Sequence, residues 1–84
     1  MTQPKKVACP CCGFLTLKEK DVWEICPVCF WEDDPIQFDD PSYSGGANHP
    51  SLEEARRNFQ AFGATEERVR PYTRQPTPNE IPPP

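Results

Sequence analysis

The 84-residue sequence has no apolar run approaching the roughly 18 residues of a membrane-spanning helix, so a span of that kind is excluded. Its first eight residues carry two lysines with no apolar stretch behind them, which argues against a secretory signal. A soluble, cytoplasmic protein is expected. Basic residues are scarce, with nine Lys and Arg against 13 Asp and Glu and a net charge of -4. Repulsion at every phosphate then makes nucleic acid an unlikely partner. Apolar residues make up only 36%. That is lean for a self-sufficient core at this length, so a metal, disulfides or a partner is expected to staple it.

What the chain does have is five cysteines within residues 9–29. In a reducing compartment, paired cysteines are more often metal ligands than disulfides. Cys9-Pro10-Cys11-Cys12-Gly13 and Cys26-Pro27-Val28-Cys29 are two C-x-x-C knuckles separated by 13 residues. Two cysteines three apart on a tight turn aim both sulfurs at one point, about 2.3 Å from a tetrahedral metal. Proline after the first cysteine fixes the turn, and glycine after the last lets the backbone approach the sulfur. Between the knuckles, Phe14-Leu15-Thr16-Leu17 and Val22-Trp23-Glu24-Ile25 flank the polar turn Lys18-Glu19-Lys20-Asp21. This pattern predicts a hairpin that returns the second knuckle beside the first.

That layout is a zinc ribbon, with Cys9, Cys12, Cys26 and Cys29 as metal ligands. Four thiolates close the coordination sphere and leave no position for water, so the metal reads as a structural staple. Four thiolates around one divalent ion would take the net charge from -4 to -6. A rubredoxin-like iron site uses the same four sulfurs to carry electrons, but the segment between the knuckles is much shorter than rubredoxins have. Cys11, between two ligands, is expected to point away from the metal. A reactive thiol there is disfavoured, because a neighbouring zinc-thiolate centre raises a thiol's pKa. His49 is the one histidine. Nothing in the sequence brings it to Cys11 to form a nucleophile–base pair.

Residues 51–63 read as a helix. Ser51 is an N-cap with Glu54 three residues on, Leu52, Ala55, Phe59 and Phe62 form one apolar stripe, and Gly63 is a left-handed stop. A further turn is expected around residues 65–70, stopped by Pro71. Before the helix, residues 32–50 form an acidic, turn-rich loop. From Pro71 to Pro84, six of 14 residues are proline, the composition of an extended or disordered tail. The expectation is a small α+β domain over residues 7–70, with a metal-bound β-hairpin packed on one α-helix and an irregular acidic loop. A proline-rich tail over 71–84 follows it.

Three strings carry a resemblance. They are Cys9-Pro10-Cys11-Cys12-Gly13-Phe14-Leu15-Thr16-Leu17, then Glu24-Ile25-Cys26-Pro27-Val28-Cys29-Phe30-Trp31-Glu32-Asp33-Asp34, then Gly45-Gly46-Ala47-Asn48 with Ser51-Leu52-Glu53-Glu54-Ala55-Arg56. The chain resembles the bacterial CPCC-type cysteine-rich family from about Ala8 to Pro71. The resemblance implies a bacterial, metal-binding, single-domain protein and brings no catalytic residues with it.

The acidic loop has three readings. Glu32, Asp33, Asp34, Asp39 and Asp40, with Trp31, would present an acidic-aromatic surface to a basic partner protein. The same carboxylates would bind calcium or magnesium, although the alternation of an EF-hand loop is missing. In the plainest reading they are a solvated turn paired with Arg56, Arg57 or Lys5. Among the aromatics, one of Phe14 and Trp23, and one of Phe30 and Trp31, is expected to bury against Phe59 and Phe62. The leading functional expectation is a non-enzymatic interaction module, with an immunity or inhibitor protein as an analogy. An enzyme using Cys11 or the carboxylate cluster, and an iron electron carrier, are the alternatives.

Overall fold

The computed structural model describes residues 6–84. Its chain order is β1 (Val7–Ala8), β2 (Leu15–Leu17), α1 (Pro35–Asp39), α2 (Leu52–Phe62) and two 3-10 segments, Glu67–Tyr72 and Pro78–Glu80. β1 and β2 pair antiparallel, Val7 with Leu17 and Ala8 with Leu15, and the register shifts between the two pairs. The extra residue on β2 breaks the usual alternation, so that Thr16 and Leu17 are both buried although adjacent in sequence.

The hairpin is present but its strands are not the expected ones. Phe14-Leu15-Thr16-Leu17 does not pair with Val22-Trp23-Glu24-Ile25. Each knuckle is instead the tip of its own small hairpin, β1 with β2 around the first and a bridge between Ile25 and Glu32 around the second. Each knuckle closes its own turn with backbone bonds, the Cys9 N–H to the Phe14 carbonyl and the Cys26 N–H to the Trp31 carbonyl, and so draws its flanking residues together. Asp21 and Trp23, with φ of 62° and 63°, also leave the extended conformation that a continuous strand there would need.

α2 follows the sequence expectation. Ser51 Oγ accepts the Glu54 N–H at 3.1 Å, and Gly63 closes the helix at φ 81°, a left-handed conformation that glycine adopts without a Cβ clash. Leu52 and Ala55 enter the core with Leu17, Val28, Trp31 and the buried cysteines, while Phe59 and Phe14 flank it edge to face at 6.2 Å. The helix also reaches both knuckles. Arg56 Nε donates to the Pro10 carbonyl at 2.9 Å, and just past the helix the Thr65 N–H donates to the Cys29 carbonyl at 3.1 Å.

Two segments expected to be irregular carry short helical turns. Residues 35–39 of the acidic loop form the short helix α1, capped by Asp34, whose Oδ1 accepts the Ile36 and Gln37 N–H groups at 2.8 and 3.4 Å. In the tail a 3-10 turn, residues 78–80, packs on β2, and Glu80 is buried. Arg74 grips both Glu80 carboxylate oxygens at 2.8 Å, and the Thr77 N–H donates to one of them at 2.9 Å. A bidentate ion pair supplies the anchorage that the apolar content lacks. Pro71 likewise does not stop the preceding turn but lies inside the 3-10 segment Glu67–Tyr72.

Candidate metal centre

The knuckles share one backbone pattern. In the first, the Gly13 N–H donates to the Cys9 carbonyl at 2.8 Å and the Cys9 N–H to the Phe14 carbonyl at 2.9 Å. In the second, Phe30 donates to Cys26 and Cys26 to Trp31, both at 2.8 Å. The residue after the last cysteine is left-handed in each, Gly13 at φ 82° and Phe30 at φ 73°. The turn that glycine makes freely is therefore imposed on a bulky residue in the second knuckle. Phe30 packs on Tyr72 at 5.5 Å between ring centroids.

This pattern brings the sulfurs of Cys9, Cys12, Cys26 and Cys29 together, all within 4.8 Å of one another. Cys9 and Cys29 are 3.5 Å apart, and Cys12 and Cys26 are 3.7 Å apart. Both separations lie near the roughly 3.8 Å edge of a sulfur tetrahedron around a metal at about 2.3 Å. They are far longer than the roughly 2.0 Å of a disulfide, and all five cysteines are free thiols. The four cysteines are thus placed to bind a metal ion. Cys11 is buried but stands outside this set.

The electrostatics agree with a cation site. Cys26 is pushed far below the ordinary thiol range by hydrogen bonds from Cys12, then Cys29 and Cys9, with the Thr16 hydroxyl at 3.0 Å adding to them. Cys12 is also lowered, the upward pull of Cys26 being outweighed by Cys29 and Cys9. Cys9 is driven up, first by Cys12 and Cys26, and Cys29 is driven up, first by Cys11. Four sulfurs this close cannot all be thiolates unless a positive ion sits among them.

The acidic-aromatic surface is corrected in three of its six residues. Trp31 is 0% exposed, Asp33 1% and Asp34 2%. The Trp31 indole Nε1 and Asp33 Oδ1 are buried with no hydrogen-bond partner, so neither faces a partner protein. The physical reason is the second knuckle, which turns Trp31 inward among the cysteines and α2. The two aspartates then serve the backbone. Asp33 Oδ2 accepts the Asp21 N–H at 2.8 Å, and Asp34 Oδ2 accepts the Ala47 N–H at 2.9 Å. Asp39 and Asp40 are exposed and Glu32 is half-buried. Among the described residues no ion pair joins Arg56 or Arg57 to this loop, and Lys5 lies outside the described residues. Of the aromatics, Phe14 and Trp31 pack inward, Phe30 lies half-buried on Tyr72, and Trp23 is left out.

Sequence reasoning missed the pair that organises this loop, Gln37 and Asn48. Asn48 acts like a neighbouring strand, its Oδ1 accepting the Glu32 N–H at 2.8 Å and its Nδ2 donating to the Glu32 carbonyl at 2.7 Å. Gln37 Oε1 accepts from Asn48 N and Nδ2 at 3.0 and 2.9 Å, and Gln37 Nε2 donates to the Tyr43, Asn48 and Pro50 carbonyls. Gly46 lies so close that an added Cβ would stand 2.6 Å from Asp34 Oδ2 and 2.9 Å from Gln37 Cγ and Cδ. The Gly45-Gly46-Ala47-Asn48 string was the available signal. His49 is exposed, and neither of the two cavities it lines contains a cysteine.

The family model described as Cysteine-rich CPCC matches residues 7–80, nearly the whole chain, so the chain belongs to the cysteine-rich CPCC family. A comparison with curated proteins gives no match.

Proposed function

We propose that this member of the cysteine-rich CPCC family is a non-enzymatic zinc-binding protein of the bacterial cytoplasm that docks on another protein. The observation that carries the zinc reading is the closed set of four cysteine sulfurs within 4.8 Å of one another. Four thiolates satisfy a tetrahedral ion completely and leave no position for water or substrate, so the ion holds the fold rather than performing chemistry. The non-enzymatic reading is supported by two cavities lined by His49, neither of which includes the Cys11 thiol that a nucleophile–base pair would need. Docking is supported by the concentration of acidic and aromatic side chains in one half of the chain. An immunity or inhibitor protein for a basic toxin is the functional analogy.

Elemental analysis of protein purified without added metal or chelator tests the reading. One zinc per chain is the expected result. Iron, visible as a red protein, would make the chain an electron carrier, and metal-free protein that melts cooperatively would end the metal reading altogether.

A further inference from the structure

Negative charge is concentrated on one stretch of the chain. Residues 18–50 hold eight of the 13 carboxylates and only two lysines, an excess of six, whereas residues 51–84 are balanced at five against five. Two of the eight, Asp33 and Asp34, are buried; Glu19, Asp21, Asp39 and Asp40 are exposed.

Large apolar side chains stand exposed in the same stretch. Trp23 is 45% exposed, flanked by Val22 and Ile25, which are equally open. Trp23 is held at φ 63°, a left-handed conformation that costs a bulky residue on the order of 1 kcal/mol or more. No aromatic stacking on Trp23 offsets that cost among the described residues. The loop is fixed from beneath, where Asp33 Oδ2 takes the Asp21 N–H and the Glu24 carbonyl takes the Asp33 N–H at 2.9 Å. It adjoins α1, because Lys20 Nζ sits 4.4 Å above the Phe38 ring, and Phe38 is 37% exposed. That ring face already accommodates a cation.

We infer that the loop of residues 20–25, together with α1, is the docking face for a basic protein segment that carries an apolar anchor, with Trp23 at its centre. The inference rests on the docking reading above and adds the site and the partner's chemistry. The anchor covers Trp23, and the partner's arginines or lysines meet Asp21, Asp39 and Asp40 at the rim. An exposed tryptophan with Asp21 in its own loop and Asp39 and Asp40 at the end of the adjoining α1, carboxylates that outnumber the one lysine there, matches the aromatic centre and polar border of a protein interface. Asp21, Asp39 and Asp40, exposed against the single Lys20, favour a basic occupant and oppose a second copy of the same chain.

The test titrates the full-length, metal-loaded protein with a fluorescent peptide of alternating arginine and leucine, beside a charge-matched arginine–glycine peptide. The expected result is saturable binding of the leucine peptide, weakened about tenfold or more by Trp23→Ala. Asp39→Asn with Asp40→Asn should weaken it several-fold and flatten its salt dependence. Tyr72→Ala, an exposed aromatic outside the face, should leave it unchanged. Unchanged metal content and melting in each variant exclude misfolding. If the peptide binds but Trp23→Ala and Tyr72→Ala behave alike, the face is wrong while docking elsewhere stands. If the unmodified protein binds neither peptide at about 100 µM, both fall. Dimerisation lost in Trp23→Ala would replace the basic partner with a second copy and overturn the inference.

Discussion

Gln37 lies completely buried in a region that sequence composition marks as a solvated acidic loop. Replacing it with methionine keeps the length and most of the volume while removing every polar contact. Its amide donates to the Tyr43, Asn48 and Pro50 carbonyls at 3.0, 3.2 and 3.0 Å and accepts from Asn48 N and Nδ2 at 3.0 and 2.9 Å. Tyr43 is exposed, so its carbonyl can turn to water. Asn48 and Pro50 are buried, leaving the Asn48 N–H, the Asn48 carbonyl and the Pro50 carbonyl as stranded groups. At about 1–3 kcal/mol for each of the three, Gln37→Met should cost about 3 kcal/mol or more. A domain of this size holds about 4–13 kcal/mol in total. Melting followed by near-UV circular dichroism in excess zinc should therefore fall by about 12 °C or more. The knuckles do not depend on Gln37, so metal content should match that of the unmodified protein. A fall below about 4 °C would refute the claim that this amide organises the loop.

Other perturbations separate the parts of the structure. Cys26→Ser should lose metal and cooperative melting together, whereas Cys11→Ser should keep both, as elemental analysis and a thermal melt of each variant will read. Gly46→Ala drives a Cβ to within 2.6 Å of Asp34 Oδ2. It should destabilise by about 1–3 kcal/mol in a urea titration and leave the metal content unchanged. Glu80 is held down to about 2 by Arg74. Its folded pKa lies below the unfolded value, so its stabilisation is present above the ordinary carboxylate range and is lost as pH falls towards 2. Because the Arg74 side chain is 43% exposed, Glu80→Gln should cost only about 1 kcal/mol at neutral pH, and urea titrations should show the difference from the unmodified protein shrinking in acid.

Local rules made part of the fold legible. The spacing Cys9, Cys12, Cys26, Cys29 corresponds to sulfurs that meet in space, because C-x-x-C on a tight turn has few ways to place its side chains. Ser51 and Gly63 marked the ends of α2 because capping is decided within a few residues. The strand pairing was not legible. Val7 and Ala8 form too short a segment to show alternation, and the knuckles themselves act as hairpin turns. The acidic loop misled for a related reason. An aspartate that caps a helix or accepts a loop amide has the same composition as one that faces water, and only the positions of the N–H groups around it distinguish them. Asp33 and Asp34 belong to the first kind and Asp39 to the second, while Asp40 is exposed and also accepts the Ser42 N–H at 3.2 Å. Gln37 carried no sequence signal at all, because a buried glutamine is recognised by the carbonyls it reaches and these lie six to 13 residues away.

The two polar devices meet at one residue, which makes the amide pair depend on the cysteine cluster. The cysteine cluster fixes the second knuckle through Cys26 and Cys29, and its bridge ends at Glu32 opposite Ile25. Glu32 is also the residue whose N–H and carbonyl are both taken by the Asn48 side chain. Releasing the metal frees the knuckle, lets Glu32 move, and removes the partner that holds Asn48 and, through it, Gln37. The reverse does not follow, since the first knuckle is closed by β1 and β2 and the second by its own Cys26–Trp31 backbone bond. Loss of the amide pair should therefore loosen residues 34–50 while the metal stays bound, whereas loss of the metal should take that loop down with it. Hydrogen exchange would read the asymmetry directly, as protected amides at Asn48 and Ala47 that vanish on chelation, set against knuckle amides that survive Gln37→Met.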